Sequence, residues 1–174
     1  AFYSSKNEQN KYRRYAFSIL VMVVGIWVLI KPVVIFYDEI LASVQFPLLS
    51  GFENASELSR WTTGSAMERS KFRSTEGQHS LKVLLLAKGY SGVSLNDFPS
   101  NWQVFDVFQF DVWSSDSSLP LAVRIHDYKH TQSDQNYSDR FNRRHYLKKG
   151  WNSISISLKD IYRSPKGRKI NLEM

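Results

Sequence analysis

Residues 15–30 read YAFSILVMVVGIWVLI, sixteen positions with no charge and no proline. Coiled as a helix at about 1.5 Å per residue, they reach roughly 24 Å. Lys31 and Pro32 interrupt the run and VVIFY carries it to Tyr37. The full stretch 15–37 then suffices for a hydrocarbon core of about 30 Å, with Lys31 reaching towards an interface. Tyr15, Phe17, Phe36 and Tyr37 lie near its ends, where an interfacial aromatic belt would sit. A core helix would show a polar stripe, and none is present. A signal peptide would end in a small-residue cleavage site, which PVVIFYDEI lacks. The pattern therefore predicts one retained transmembrane helix over 15–37, preceded by a basic N-terminus, 1–14, and followed by a linker, 38–51.

From residue 52 onwards the period shortens. AMERSKFR, SLKVLLL, GVSL, VFQFDVW, LAVRIHD, RFNRRHYL and NSISISL are separated by Gly, Asn, Asp, Ser and Pro, a spacing that suits a β-sandwich. Phe108, Phe110 and Val112 alternate with Gln109, Asp111 and Trp113; Leu121, Val123 and Ile125 alternate with Ala122, Arg124 and His126. Ile154, Ile156 and Leu158 alternate with serines. Each strand so read has one apolar and one polar face. The expected fold is mainly β, an antiparallel jelly-roll-type sandwich over 52–174 behind the single helix. Trp61, Phe110, Leu121, Val123, Ile125, Ile154 and Ile156 are its expected core. The opening Ala and the abrupt KINLEM read as the ends of a trimmed chain, with the sandwich cut short at its C-terminus.

Charge sets an orientation. Lys6, Lys11, Arg13 and Arg14 precede the helix, and Asp38 and Glu39 follow it. Basic flanks stay in the cytoplasm, which predicts an internal N-terminus and an exported domain. The net charge of +7 is concentrated in the C-terminal third, from Arg143 to Lys169. Outside the membrane such a surface suits anionic headgroups or acidic glycans rather than nucleic acid, or is simply solvated. With no cysteine, disulfide scaffolds, thiolate zinc sites and cysteine nucleophiles are excluded.

The chemistry gathers in RIHDYKHTQSDQNYSDRFNRRHYLKKGWN, residues 124–152. HDYKH resembles the zinc motif HExxH only superficially, because that motif needs a helix and a Glu base. On an extended strand, His126, Tyr128 and His130 would share a face and, with Asp134 or Asp139, could hold an ion; a solvated strand end is the plainer alternative. Neither opposed carboxylates nor a nucleophile elbow occurs, so no catalytic residue and no cofactor is expected. Two readings of the stretch stay open. One is a ligand platform lined by Trp113, Arg124, His126 and Asn142, with an indole against a sugar ring and polar groups on its hydroxyls. The other is a buried polar network closing one end of the sandwich. Both give Arg124 and Asp139 as a bidentate pair tying the loop to its strand.

FPLLSGFEN, ELSRW, GQHSLKVLL, YSGVSL, FQFDVW, RIHDYKH, YSDRFNR and KKGWN, in that order, resemble carbohydrate-binding-module-like, galactose-binding-like β-sandwiches. In particular they resemble the domain that follows the membrane helices of some bacterial VanZ-like proteins. The resemblance covers residues 46–174, although VanZ-like membrane regions carry several helices where this chain has one. It implies a jelly roll outside a bacterial cytoplasmic membrane, periplasmic or extracellular, with a glycan-binding role and no catalytic residues. Two functions are thus expected. The chain is a membrane-anchored binding module for envelope or extracellular polysaccharide, with Trp113, Arg124, His126, Asp139 and Asn142 as ligand residues. Alternatively it is an accessory subunit whose helix and sandwich contact a membrane-protein partner.

Overall fold

A computed structural model of the chain describes residues 2–86, 90–99 and 101–173. Residues 2–7 and Gln9 are described by backbone alone, so the side chain of Lys6, one of the basic flank residues, lies outside the described set. The first element is one long helix, α1 (Phe2–Gln45), which runs unbroken through Pro32. Its stretch Asn10–Gln45 is long and apolar enough to cross a membrane, and none of its apolar window is buried against the rest of the chain. The helix exceeds the expected 15–37 at both ends, taking in the basic N-terminus and the first half of the segment expected as a linker.

Where α1 ends, it is pinned. Asp38, 1% exposed, accepts from Arg60 Nε at 2.5 Å and from Ser56 Oγ at 3.1 Å. Arg60 belongs to a 3₁₀ turn, Ala55–Arg60, and also donates to the Leu49 carbonyl at 2.8 Å. Glu57 of the same turn is equally buried. Its carboxylate accepts from the backbone N–H groups of Gly51, Phe52 and Asn54 and from Ser50 Oγ, at 2.9–3.1 Å. Buried charges persist only when so partnered. The chain between helix and strands is thereby a fixed joint rather than a free tether.

Among the described residues eight short strands follow: β1 (Trp61–Thr63), β2 (Ala66–Ser70), β3 (Ser80–Leu84), β4 (Val93–Leu95), β5 (Val107–Ser114), β6 (Leu119–Ile125), β7 (Phe141–Leu147) and β8 (Gly150–Ser157). Every run read as a strand from the sequence contains one. They pair as antiparallel ribbons, β1 with β4, β2 with β3, β5 with β8 and β6 with β7. A helical turn, α2 (Tyr128–Thr131), lies between β6 and β7, and α3 (Leu158–Arg163) follows β8. The turn between β2 and β3 relies on a glycine at positive φ. At Gly77 (φ +63°) an added Cβ would lie 2.3 Å from Glu53 Oε1, which accepts the backbone N–H groups of Gln78 and His79.

The two longer ribbons share one apolar cluster. Phe108, Phe110 and Val112 face Ile156, Ile154 and Asn152 across β5–β8, while Leu119, Leu121, Val123 and Ile125 line β6. Opposite them on β7, Leu147 and Phe141 are buried, but Arg143 and His145 occupy the same face. Arg143 escapes by reaching Asp160 in α3 at 2.8 Å. Of the expected core, Ile154 and Ile156 are buried, and Phe110, Leu121, Val123 and Ile125 pack against the cluster. Trp61 does not belong to it: half-buried, it packs on Phe52 with ring centroids 5.5 Å apart and donates to Ser50 Oγ. Trp102, Leu158, Ile161 and Ile170 complete the cluster instead.

Candidate functional site

In the stretch that gathers the histidines, β6 stops at Ile125 and Asp127 caps a helical turn, accepting the His130 N–H at 3.1 Å. The extended strand on which His126, Tyr128 and His130 would share a face does not form. Among the described residues, no group of three or more His, Asp or Glu side chains is arranged to hold a metal ion. His126 and His130 instead lie ring against ring, with centroids 4.8 Å apart.

The charge-assisted pair in this stretch is not Arg124 with Asp139. Arg168, distant in sequence, takes Asp139: its Nε and Nη2 donate to the two carboxylate oxygens, the latter at 2.8 Å. The same guanidinium reaches Asp127 through Nη1 at 2.6 Å and Nη2 at 2.9 Å. Asn171 N–H adds a bond to Asp127 at 2.9 Å, and His130 Nδ1 lies 3.3 Å from Asp139. Burial by itself would raise the Asp127 carboxyl, but the bonds from Arg168, Asn171 and His130 outweigh it and hold the pKa at about 2. Asp139 is lowered chiefly by its bond to Arg168, against a smaller opposing effect of burial, and Arg168 is raised by Asp139 and Asp127. His126 is lowered from 6.5 by burial first, then by the positive charge of His130, Arg124 and Arg140. Every acceptor of the two carboxylates is engaged within the chain. This network is a clasp that fastens the C-terminal segment across the end of the ribbons.

The five residues expected at a ligand site therefore part company. His126 and Asp139 join the clasp through His130. Arg124 and Asn142 are register partners on the outer face of β6–β7. Asn142 donates to the Tyr137 carbonyl and accepts from Arg140, whereas Arg124 is exposed and makes no ion pair among the described residues. Trp113 is on β5, which pairs with β8 rather than with β6, so no sheet carries Trp113 beside Arg124.

Trp113 has other company. Its register partner is Trp151, 44% exposed, and below the two lie Asp111 opposite Ser153 and Gln109 opposite Ser155. Gln109 Nε2 donates diagonally to Ser153 Oγ at 3.3 Å. Over Trp113 sits Arg73, its guanidinium carbon 3.7 Å from the ring centroid and 4.5 Å from that of Phe72. The outer face of β5–β8 thus combines two indoles with a row of short polar side chains. Trp151 could have been found from the sequence, since it is in step with the serines of NSISISL. Arg73, from a turn forty positions before Trp113, left no such signal. Comparisons of the chain with family models, with curated proteins and with solved structures return no match.

Proposed function

We propose that the chain is a membrane-anchored, exported binding module for polysaccharide, and that the sugar lies on the outer face of β5–β8. The observation that carries this reading is the cross-strand pair Trp113–Trp151, flanked by Asp111, Gln109, Ser153 and Ser155. An exposed indole covers the C–H face of a pyranose, and carboxylate, amide and hydroxyl groups beside it exchange hydrogen bonds with ring hydroxyls. A short-stranded antiparallel scaffold whose two longer ribbons share one cluster supports the wider likeness to galactose-binding-like jelly rolls. In the proposed topology α1 crosses the cytoplasmic membrane with its basic end inside, and the fixed joint at Asp38 holds the domain near the outer surface.

The test is retention of the full chain, in nanodiscs, on immobilised polysaccharides. Trp151→Ala should abolish retention with little change in melting temperature, because the indole is nearly half exposed. Retention equal to that of the parent chain would sink the reading. A second function, accessory subunit of a membrane assembly, is favoured by a separate apolar surface at Leu84, Leu85, Leu86 and Tyr90, all exposed. It requires a partner that copurifies in fixed stoichiometry and is lost when these residues become polar.

A further inference from the structure

Among the described arginines that are not exposed, Arg73 stands apart. Arg60, Arg69, Arg140, Arg143 and Arg168 each donate hydrogen bonds to a carboxylate, carbonyl or amide oxygen. Arg73 is half-buried, lies against two aromatic rings, and among the described residues donates to nothing. Its Nε is fully buried without a partner. A guanidinium laid on an indole gains from the ring's negative face. The two terminal nitrogens of its N–H fork are not buried and have no acceptor among the described residues. The fork matches a carboxylate or a phosphate, which it binds through two parallel hydrogen bonds. Asp111 shares the Trp113 face and Glu76 is exposed in the same turn as Arg73, yet neither is within ion-pair distance of it.

We infer that Arg73 reads an anionic substituent, so that the polysaccharide recognised by the β5–β8 face is acidic, bearing a carboxylate or a phosphate ester. This rests on the glycan-binding reading and narrows it. Trp151 takes the sugar ring, and the guanidinium, laid on Trp113 and in contact with Phe72, takes the charge. Pre-organisation of this kind lowers the entropy lost on binding.

The decisive experiment compares three immobilised polymers: a polyuronate, a poly(glycerol phosphate) and neutral dextran. The full chain is presented in nanodiscs of zwitterionic lipid. At low salt the parent chain should hold at least one acidic polymer about tenfold more tightly than dextran, as one charge-assisted bidentate pair would give. That preference should shrink as salt is raised. Carboxylate and phosphate sources separate by which polymer is held. Arg73→Gln should bring the preference close to unity, and Arg73→Lys should restore part of it, since the charge returns without the fork. Near-ultraviolet circular dichroism of both variants checks that Trp113 stays packed. Equal retention on all three polymers, or an acidic preference unchanged in Arg73→Gln, overturns the inference while leaving the glycan reading in place. An acidic preference that survives Trp151→Ala overturns both the inference and the glycan reading, reducing them to diffuse charge attraction. Loss of near-ultraviolet signal in both Arg73 variants would make the residue a packing element and overturn it too. Binding to anionic vesicles with no retention on any polymer overturns both readings in favour of a lipid surface.

Discussion

Arg168 holds two aspartates at once, and removing it leaves Asp127, 1% exposed, without its main counter-charge. Arg168→Ala should cost about 3 kcal/mol, at the lower end for breaking a buried pair because the arginine itself is partly exposed. Chemical denaturation at neutral pH measures it. Arg124→Ala, at an exposed position with no ion pair, should stay within about 0.5 kcal/mol. The acid response follows from the pKa directions. A carboxyl held at about 2 in the folded chain, against 3.8 when free, contributes stability fully above pH 4 and loses it as the pH falls towards 2. His126, lowered from 6.5, acts earlier: below that pH the unfolded chain takes up the proton first, so stability declines. Denaturation midpoints from pH 8 to pH 3 should therefore fall in two steps, and His126→Gln should remove the upper one. The sequence showed that aspartates here would need a cationic partner. It could not show which, because Arg168 comes from beyond two further strands and a helix and lay in a basic run read as a surface for anionic partners or for solvent.

Among the elements, the strands were legible and their pairing was not. Alternation along the chain marks a half-buried strand wherever it lies, so VFQFDVW and NSISISL could be read singly. Neighbour choice is a long-range matter. The expected platform assumed that β5 and β6, adjacent in sequence, are adjacent in a sheet; instead β5 pairs with β8 and β6 with β7. Leu158, read as the last apolar position of a strand, opens α3 instead, and Ile161, three along on the same face, was hidden among lysines and arginines. Ile156, fully buried where β8 meets the shared cluster, should lose about 3 kcal/mol on truncation to alanine. Turn chemistry supplies another test. Gly77→Ala would force both an unfavourable φ of +63° and a clash with Glu53, whose carboxyl is held at about 2 mainly by its bond to His79. The β2–β3 turn should open, seen as faster amide exchange at Gln78 and His79, with the β5–β8 amides unaffected.

For the whole molecule, the feature that matters most is the one the sequence concealed: residues 38–45 are not a linker. An apolar run ending in Asp-Glu looks like the close of a helix, and only the burial of Asp38 against Arg60 shows that the helix continues into the domain's grip. Arg60→Ala should leave the ribbons folded while freeing the joint. Spin labels at Ser18 and Ser153 should then report a broadened distance distribution where the parent chain gives a narrow one. In the proposed orientation, protease added outside intact cells should cut after residue 45 only where the fold is loosened and spare the N-terminus. A joint of this kind also sets an azimuth. In the proposed topology, the side of α1 that a neighbour in the bilayer meets would be fixed relative to the compass bearing of Trp151, and helix and domain would turn about the membrane normal as one body. If the proposed glycan binding and orientation hold, two copies gripping the same polymer strand would present predetermined helix faces to each other, and a ligand outside the cell would choose which residues meet inside the lipid.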